Sequence, residues 1–390
     1  MKLAPVLIAA LAVGLLHAQT TLPDRNASLK QEIQLAIERG INYLKTQQNK
    51  ETGAWSTPDE PAVTGLALTA IMGDPTRKTS DPQPAEAKRG YDFLLKNVKP
   101  DGGIYGKGRA NYNTSIALMA FVMNPLPGYE QTILKARKFV VGQQNDFTKE
   151  GEPNNPFNGG VGYGTPKPDS PAHADLSNTH FAIEALYYSK KLFEDSGKPI
   201  DKKDDLDWGA AIKFIERCQN RPESNDQKWA SGDPKNAGGF VYEPGSSKAG
   251  VDKLPDGRTA MRSYGSISYA GMMSFIYAGL TPDDPRVQAA LKWLGENYTL
   301  DENPGMGAEG QFYYYHTMAK ALTAAGLDEL KTKDGKMVNW RDDLARKLLN
   351  TQSADGSWKN DKAARWMEGD PILVTGYTLM ALEHVYHSLR

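Results

Sequence analysis

The sequence predicts an all-α protein in which six helical hairpins close into a double-layered α/α barrel around a central cavity. Three observations predict this fold. A Gly-rich turn recurs six times, an amphipathic helix precedes each turn, and a helix that is apolar nearly all round follows it. Helices that are apolar on every face are buried on both sides, so the pattern indicates an inner ring wrapped by an outer ring. A single hairpin cannot bury its apolar face alone, and no polar end repeat is present, which favours a closed ring.

The N-terminal segment has the pattern of an export signal. Lys2 supplies a positive start, an apolar run extends from Leu3 to Leu16, and Leu16-His17-Ala18 resembles a small-residue cleavage site. At about fourteen residues, the run is shorter than the roughly twenty that cross a bilayer. We therefore predict a cleaved signal peptide over residues 1–18, an N-terminal linker over 19–30 and the barrel over 31–390, in a periplasmic or secreted protein.

Composition narrows the classes of partner. The formal net charge of −1 gives no electrostatic attraction to nucleic acid or to a membrane surface. After the signal, the chain contains no further apolar run of membrane length. Cys218 is the only cysteine, so no intramolecular disulfide can form, and stability must come from a large apolar core. We expect a monomer with a small-molecule or lipid ligand in its cavity.

The helices that precede the turns share one apolar face. In the first, Ser28–Gln47, Ile33, Ile37 and Ile41 recur at four-residue steps, and Ser28 with Gln31 fits a capping box. Their other faces are rich in Lys, Arg and Glu, as expected of an outer ring. The corresponding later segments are Ala87–Leu94, Ala136–Phe139, Ala210–Ile215 and Ala290–Leu294.

The turns and the inner helices alternate with these segments. Loops of different length make the repeat uneven. The turns begin at Gly53, Gly102, Gly159, Gly238, Gly305 and Gly356. The predicted inner helices are Ala62–Met72, Thr114–Met123, Thr179–Tyr188, Ser268–Leu280, Thr317–Leu327 and Ile372–His384.

One turn motif has a known counterpart. The segment Gln352–Trp358 reads Gln-Ser-Ala-Asp-Gly-Ser-Trp, and Gln48–Trp55 repeats it with one extra residue. The amide can bond a frayed helix end, glycine permits a positive φ, and tryptophan buries a large face. The motif resembles the Gln-x-x-x-Gly-x-Trp repeat of squalene cyclases and prenyltransferases, and the resemblance extends over all six repeats. It implies an (α/α)6 toroid, and the chain most resembles the secreted bacterial members of that superfamily.

The cyclase signature of that superfamily is incomplete here. Squalene–hopene-type cyclases protonate an alkene with the central Asp of Asp-x-Asp-Asp-Thr. The corresponding segment is Asp175–Thr179, where Ser177 takes the place of the central acid and Asn178 that of the third. A serine cannot protonate an alkene, so the resemblance does not carry that chemistry to this chain.

The zinc signature of the protein prenyltransferases is also incomplete. Tyr315-His316-Thr317 matches its Tyr-His-Thr part, whereas Arg262 and Tyr264 replace the Asp and Cys that complete the metal site. Cys218 lies on an outer helix and cannot substitute for that Cys. We therefore expect no metal site and no cofactor.

A closed ring brings the N-termini of all inner helices to one end of the cavity. Helix N-termini carry free amides and a partial positive charge, so an anionic group suits this end. The candidate ligand-binding residues here are Asn113, Asp175, Asn178, Arg262, Tyr264, Tyr314 and Tyr315. The candidate catalytic residues are His316, Glu368 and Asp370.

Each candidate also has a structural interpretation. Asp175 and Asp370 suit helix N-caps, and His316 suits a hydrogen-bonded core position. The tyrosines suit packing. Glu368, beside Trp366, suits acid–base work only if burial raises its pKa.

Three functions remain open. The first is an exported protein that binds, or acts on, an isoprenoid or anionic ligand in the cavity. The second is a carbohydrate-active enzyme of the lyase or hydrolase type, which needs paired carboxylates, with Glu368 and Asp370 as candidates. The third is a non-catalytic binding scaffold. A deep apolar cavity favours the first, an open cleft with two facing carboxylates the second, and a filled cavity the third.

Overall fold

The structure is a computed structural model that describes residues 26–78, 80–164 and 173–389. The predicted signal peptide lies outside these residues, as does most of the predicted linker. The first helix begins at Ala27, before the predicted start of the barrel at residue 31. Ser28 is already helical, and its Oγ donates to Glu32 Oε1 over 3.2 Å. The predicted capping box between Ser28 and Gln31 is therefore wrong.

Twelve α-helices form nearly all of the regular structure in the described residues. The inner helices are α2 (Pro61–Met72), α4 (Ala110–Met123), α6 (Leu176–Asp195), α8 (Gly265–Tyr277), α10 (Gln311–Ala324) and α12 (Pro371–Ser388). The outer helices are α1 (Ala27–Gln47), α3 (Ala85–Lys96), α5 (Glu130–Val141), α7 (Trp208–Glu216), α9 (Pro285–Glu296) and α11 (Trp340–Thr351). Four short 3-10 helices lie between them, at Pro127–Tyr129, Phe147–Glu150, Lys202–Asp204 and Arg365–Met367.

The inner helices form a closed ring. Each packs on the next one along the chain, and α12 packs back on α2. Helix α1 packs on both α11 and α12, so the seam between the first and last hairpins is covered. These contacts confirm the predicted all-α toroid.

Burial explains why the two rings differ in sequence. Helix α1 buries Ile33, Ile37 and Ile41 on one face, whereas its Lys and Glu side chains are not buried. In α8, every residue except Ile276 is buried, because the helix has outer helices on one side and the toroid interior on the other. The apolar pattern of each predicted helix thus reflects its layer.

Glutamines join several of the repeat turns to the outer helix of the next repeat. Gln352 Nε2 donates to Gly356 O in its own turn and to Ala36 O in α1, both over 2.9 Å. Gln48 makes the same pair of bonds, to Gly53 O and to Glu86 O in α3. The amide therefore satisfies carbonyls on two repeats at once. The motif predicted that the amide bonds a carbonyl, and the structure adds the bond to the next repeat.

The turn glycines pack against the same neighbouring helices. Gly356 has a φ of +91°, and a Cβ there would lie 2.5 Å from Arg39 O in α1. The equivalent glycines of four further repeats meet a backbone carbonyl of the next outer helix in the same way, at Gly53, Gly102, Gly159 and Gly238. These positions thus require glycine for two reasons: the backbone has a positive φ, and the next outer helix lies too close for a side chain.

Two short β-hairpins extend from the helical framework. Strand β1 (Val251–Lys253) pairs antiparallel with β2 (Thr259–Met261), with Val251 opposite Met261. Strand β3 (Leu330–Lys331) pairs antiparallel with β4 (Met337–Val338). Within the described part of the chain, no helix combines the length and the apolar character needed to cross a membrane.

Candidate functional site

A cavity of about 130 Å³ opens at the end of the toroid where the inner helices begin. Its wall comes from the first two turns of α4, α6, α8, α10 and α12 and from the loops that precede them. Eight of the fifteen lining residues are aromatic. The lining residues are Arg109, Tyr112, Tyr163, Ser177, Phe181, Tyr242, Tyr264, Ser266, Ile267, Tyr313, Trp366, Met367, Glu368, Leu373 and Tyr377.

Four aromatic side chains form the floor of this cavity. Tyr112 of α4 meets Phe181 of α6 edge-on, at 5.1 Å between ring centroids. Phe181 lies 6.0 Å from Tyr313 of α10, which lies 5.7 Å from Tyr377 of α12. The hydroxyls of Tyr377 and Tyr112 are 3.4 Å apart, so the four side chains form a closed ring of contacts. We call these four residues the aromatic floor.

Glu368 is the only carboxylate in the lining of the cavity as described. Its side chain is fully buried, and Oε1 accepts from the backbone N–H of Tyr313 over 2.8 Å. Oε2 accepts from Asn360 Nδ2 over 2.7 Å. Burial raises the pKa of Glu368 to about 7, although these hydrogen bonds oppose the shift. Near neutral pH this carboxyl group can thus either donate or accept a proton.

Backbone strain is concentrated around the cavity. Four non-glycine residues of the described chain have a positive φ: Ser56, Arg109, Trp366 and Met367. Three of them line the cavity, and Ser56 donates to Asp370 Oδ2 over 2.6 Å, next to the start of α12. Such conformations cost about 1 to 3 kcal/mol each and are most often kept at functional sites. The strain is therefore one reason to place the candidate functional site at this end of the toroid.

One ion pair borders the cavity. Arg109 precedes α4, and its guanidinium pairs with Glu60, to which Nε donates over 3.1 Å. Asn113 Nδ2 also donates to Glu60 Oε2, over 3.3 Å. The charge of Arg109 is therefore balanced before any ligand binds.

Two exposed aromatic side chains stand at the mouth of the cavity. The exposed fraction is 44% for Trp366 and 45% for Tyr163, and these are the only aromatic residues among the large exposed apolar residues of the described chain. The guanidinium of Arg365 stacks on Trp366 at 4.5 Å from the ring. Tyr242 donates from its hydroxyl to Tyr163 over 3.3 Å. An incoming ligand would meet these rings first.

Below the aromatic floor, the interior carries buried charge. Lys320 of α10 pairs with Glu184 of α6, and these helices are separated in the ring by α8, so the ion pair crosses the lumen. His316 stacks under Tyr377, at 5.1 Å between ring centroids. Burial and the charge of Lys320 hold the pKa of His316 well below its usual value, so this ring is neutral near pH 7.

Tyrosine rings also pack together near the C-terminal ends of α6 and α8. Tyr187 stacks on Tyr277 at 4.8 Å, and the hydroxyls of Tyr188 and Tyr277 are 3.3 Å apart. These rings and the ion pair between Glu184 and Lys320 lie deeper along the inner helices than the aromatic floor.

Two residues predicted from the sequence, Tyr264 and Glu368, line the cavity. Asp175 and Asp370 do not, and the structure confirms the capping interpretation for both. Asp175 accepts from the backbone N–H of Asn178 and caps α6, and Asp370 accepts from that of Ile372 and caps α12, both over 2.9 Å. Burial raises the pKa of Asp175 to about 6.

Four more predicted residues serve local structure. Asn113 accepts from the backbone N–H of Ala62 over 2.8 Å and so links α4 to α2. The hydroxyls of Tyr314 and Tyr315 donate to loop carbonyls over 2.9 and 2.6 Å. Asn178 donates its side-chain amide to Asp175 over 2.8 Å. None of these side chains lines the cavity.

Arg262 and His316 do not converge on one mouth, contrary to the sequence-based prediction. Arg262 follows β2, and its Nε donates to Asp252 Oδ1 of the same hairpin over 2.6 Å. Its side chain lines an outer groove beside Lys235 and Trp293. His316 lies below the aromatic floor. The helical periodicity gave no sign of the hairpin that holds Arg262 away from the cavity.

Sequence reasoning missed most of the aromatic lining. In four inner helices the third residue lines the cavity: Tyr112, Ile267, Tyr313 and Leu373. This regularity was available in the repeat once the helix starts were known. No group of three or more His, Cys, Asp or Glu residues in the described chain is arranged to hold a metal ion.

No family model and no curated protein matches this sequence. Solved structures do share its fold. The type II terpene cyclase MstE from Scytonema is 12% identical, over 92% of this chain and 99% of that chain, with a TM-score of 0.53. A family 76 glycoside hydrolase from a bovine Bacteroides thetaiotaomicron strain is 10% identical, over 91% and 78%, with a TM-score of 0.56. A novel alpha-amylase from Clostridium perfringens is 11% identical, over 90% and 98%, with a TM-score of 0.51. Identities this low show a shared toroid fold alone.

Proposed function

We propose that the protein is an exported toroid that binds the end of a glycan chain, with one sugar ring in the central cavity. The observation that carries this proposal is the cavity itself. It is small, rich in phenols, and bordered by the exposed rings of Trp366 and Tyr163. Sugar rings offer C–H faces that pack on aromatic rings and hydroxyls that pair with phenols and carboxylates.

The volume of the cavity argues against a long isoprenoid. An apolar cavity of about 150 Å³ holds one benzene ring, and this cavity is about 130 Å³. MstE has been solved with geranylgeranyl dihydroxybenzoate, whose chain is far longer. The cavity cannot enclose a ligand of that length, and its volume is of the order that one ring requires.

An anionic ligand is also disfavoured. Arg109, the one cation in the described lining, is already paired with Glu60. Arg365 at the mouth is paired with Glu309. An anion would therefore have to break an existing ion pair in order to bind.

We propose binding rather than cleavage. Glycoside hydrolysis generally uses two carboxyl groups that flank the scissile bond. Only Glu368 lines the cavity in the described chain, and the predicted partner Asp370 caps α12 instead. The toroids named as a glycoside hydrolase and an alpha-amylase support the compatibility of this fold with carbohydrate ligands. Export is supported by the sequence of residues 1–18.

The proposal is tested by isothermal titration with a panel of neutral, amino and acidic oligosaccharides. We expect Trp366→Ala to weaken the binding of the best oligosaccharide at least tenfold, because the mouth loses its stacking surface. Met337→Ala is the matched control, since Met337 is exposed on β4 and does not line the cavity. If no oligosaccharide binds, or if Trp366→Ala binds as tightly as the wild type, the proposal is wrong.

A further inference from the structure

The wall of the cavity holds a buried carboxylate that no described cation neutralises. The partners of Glu368 are the amide of Asn360 and the first backbone N–H groups of α10. The two nearby guanidinium groups pair with other acids, Arg109 with Glu60 and Arg365 with Glu309. These partners are all neutral, so no cation in the described chain balances the negative charge of Glu368.

The remaining lining also favours positive charge. Ring faces carry negative potential and attract a cation within about 6 Å of the centroid. The aromatic floor, together with Tyr264 and Tyr242, surrounds the space beside Glu368 with such rings. A neutral ring can pack on these faces, but it lacks the full positive charge that they attract.

Because the floor closes the cavity at the depth of one ring, the charge must be on that ring. We infer that the preferred ligand is a glycan whose terminal residue is an amino sugar with a free, positively charged amine placed beside Glu368. This inference rests on the proposed function and names the ligand class within it. An N-acetylated ring offers no charge to the same site.

Proton linkage follows from the same arrangement. A cation beside Glu368 favours the carboxylate and lowers its pKa from about 7, so binding releases protons near neutral pH. The other groups facing Glu368 do not titrate in this range. Burial raises the pKa values of its tyrosine neighbours, which are Tyr112, Tyr242, Tyr264, Tyr313, Tyr315 and Tyr377. His316 is held neutral beneath Tyr377, and the guanidinium groups of Arg109 and Arg365 are paired with Glu60 and Glu309. Asp175, with a pKa of about 6, lies behind Tyr242 and outside the lining.

The experiment compares glucosamine oligosaccharides with their fully N-acetylated forms and with glucose oligosaccharides of equal length, by isothermal titration at pH 7. We expect the wild type to bind the glucosamine oligomer at least tenfold more tightly than the N-acetylated one. Glu368→Gln should reduce this ratio to about threefold or less while still binding the N-acetylated form. Asp334→Asn, which removes an exposed carboxylate paired with Lys336, is the matched control and should keep the preference.

A second measurement covers the case in which Glu368→Gln does not fold. Wild-type titrations with the glucosamine oligomer in buffers of different ionisation enthalpy should show net proton release at pH 6.5. Equal or tighter binding of the neutral oligosaccharides would overturn the inference and leave the proposed function intact. Absence of proton release would overturn it as well. Failure of every oligosaccharide to bind would refute the proposed function, and the inference with it.

Discussion

Single residues at the cavity both shape its wall and hold the fold together, and Glu368 is the clearest case. Its carboxylate accepts from the backbone N–H of Tyr313 in the first turn of α10, where four N–H groups lack helical partners. Asn360 holds the other oxygen and also donates to Ala308 O over 2.8 Å. The residue that shapes the cavity therefore also caps one of its helices.

The buried acid should make stability depend on pH in a defined direction. The pKa of Glu368 is about 7 in the folded chain, against an ordinary value of 4.5. The folded state therefore binds more protons between these values, so the free energy of unfolding falls as pH rises from 4.5 to 7, by about 3 kcal/mol. Urea unfolding of the wild type and of Glu368→Gln at pH 4.5, 6 and 8 measures this change. The free energy of unfolding of the wild type should fall relative to that of Glu368→Gln as the pH rises. Parallel curves would contradict the assignment, since Asp175 and Glu383 titrate in both proteins.

The sequence placed some of these residues and misplaced others for physical reasons. Glu368 and Tyr264 were predicted because they lie just before or at the start of inner helices. His316 was predicted as well, but one turn of helix separates a cavity residue such as Tyr313 from a residue below the floor. The two residues share a face of α10, so their depth along the helix axis decides this, and a pattern of apolar residues on all faces does not reveal depth.

Among the elements, the repeat turns matter most, because each joins its own hairpin to the next one. The sequence predicted their glycines and glutamines from the motif, and the structure adds the contact with the following outer helix. The fifth repeat differs, since the nearest neighbour of a Cβ at Gly305 would be Ser263 O, at 2.9 Å, in the segment before α8. The motif therefore encodes packing between repeats, and the repeat that departs from it has lost that packing.

Two glycine substitutions separate close approach from backbone strain. Gly356 and Gly335 have similar φ values, +91° and +84°, but a Cβ at Gly335 meets no atom within 4 Å. We expect Gly335→Ala to lower the free energy of unfolding by about 1 kcal/mol, from strain alone. Gly356→Ala should cost about 3 kcal/mol, because its Cβ also collides with the backbone of α1. Urea unfolding of both variants checks this, and equal losses would show that the contact with α1 is unimportant.

At the scale of the whole molecule, ring closure removes the ends that an open stack of repeats would have. The sequence predicted closure from the absence of a polar end repeat. Because α12 packs on α2 and α1 packs on α11, the first and last repeats cover each other and neither needs a polar outer face. The sequence did not predict which side chains occupy the interior of the toroid. Side chains from non-adjacent helices come into contact there only because the ring is closed.

Hydrogen exchange can test closure in solution. In an open stack the terminal repeats exchange faster than the middle ones, because each has a neighbour on one side only. We expect the amides of α2 and α12 to be as protected as those of α6 and α8, within about tenfold, when peptides are followed by mass spectrometry. Protection that declines steadily toward both ends of the chain would mean that the seam opens.

The aromatic floor turns the toroid into a cup instead of a tube. A polymer cannot be threaded through a cup, so the protein would have no way to slide along a strand or to engage it in the middle. Occupancy would follow the number of chain termini in a sample and not its mass. A few long strands would saturate little of the protein, whereas the same material cut into fragments would saturate much more.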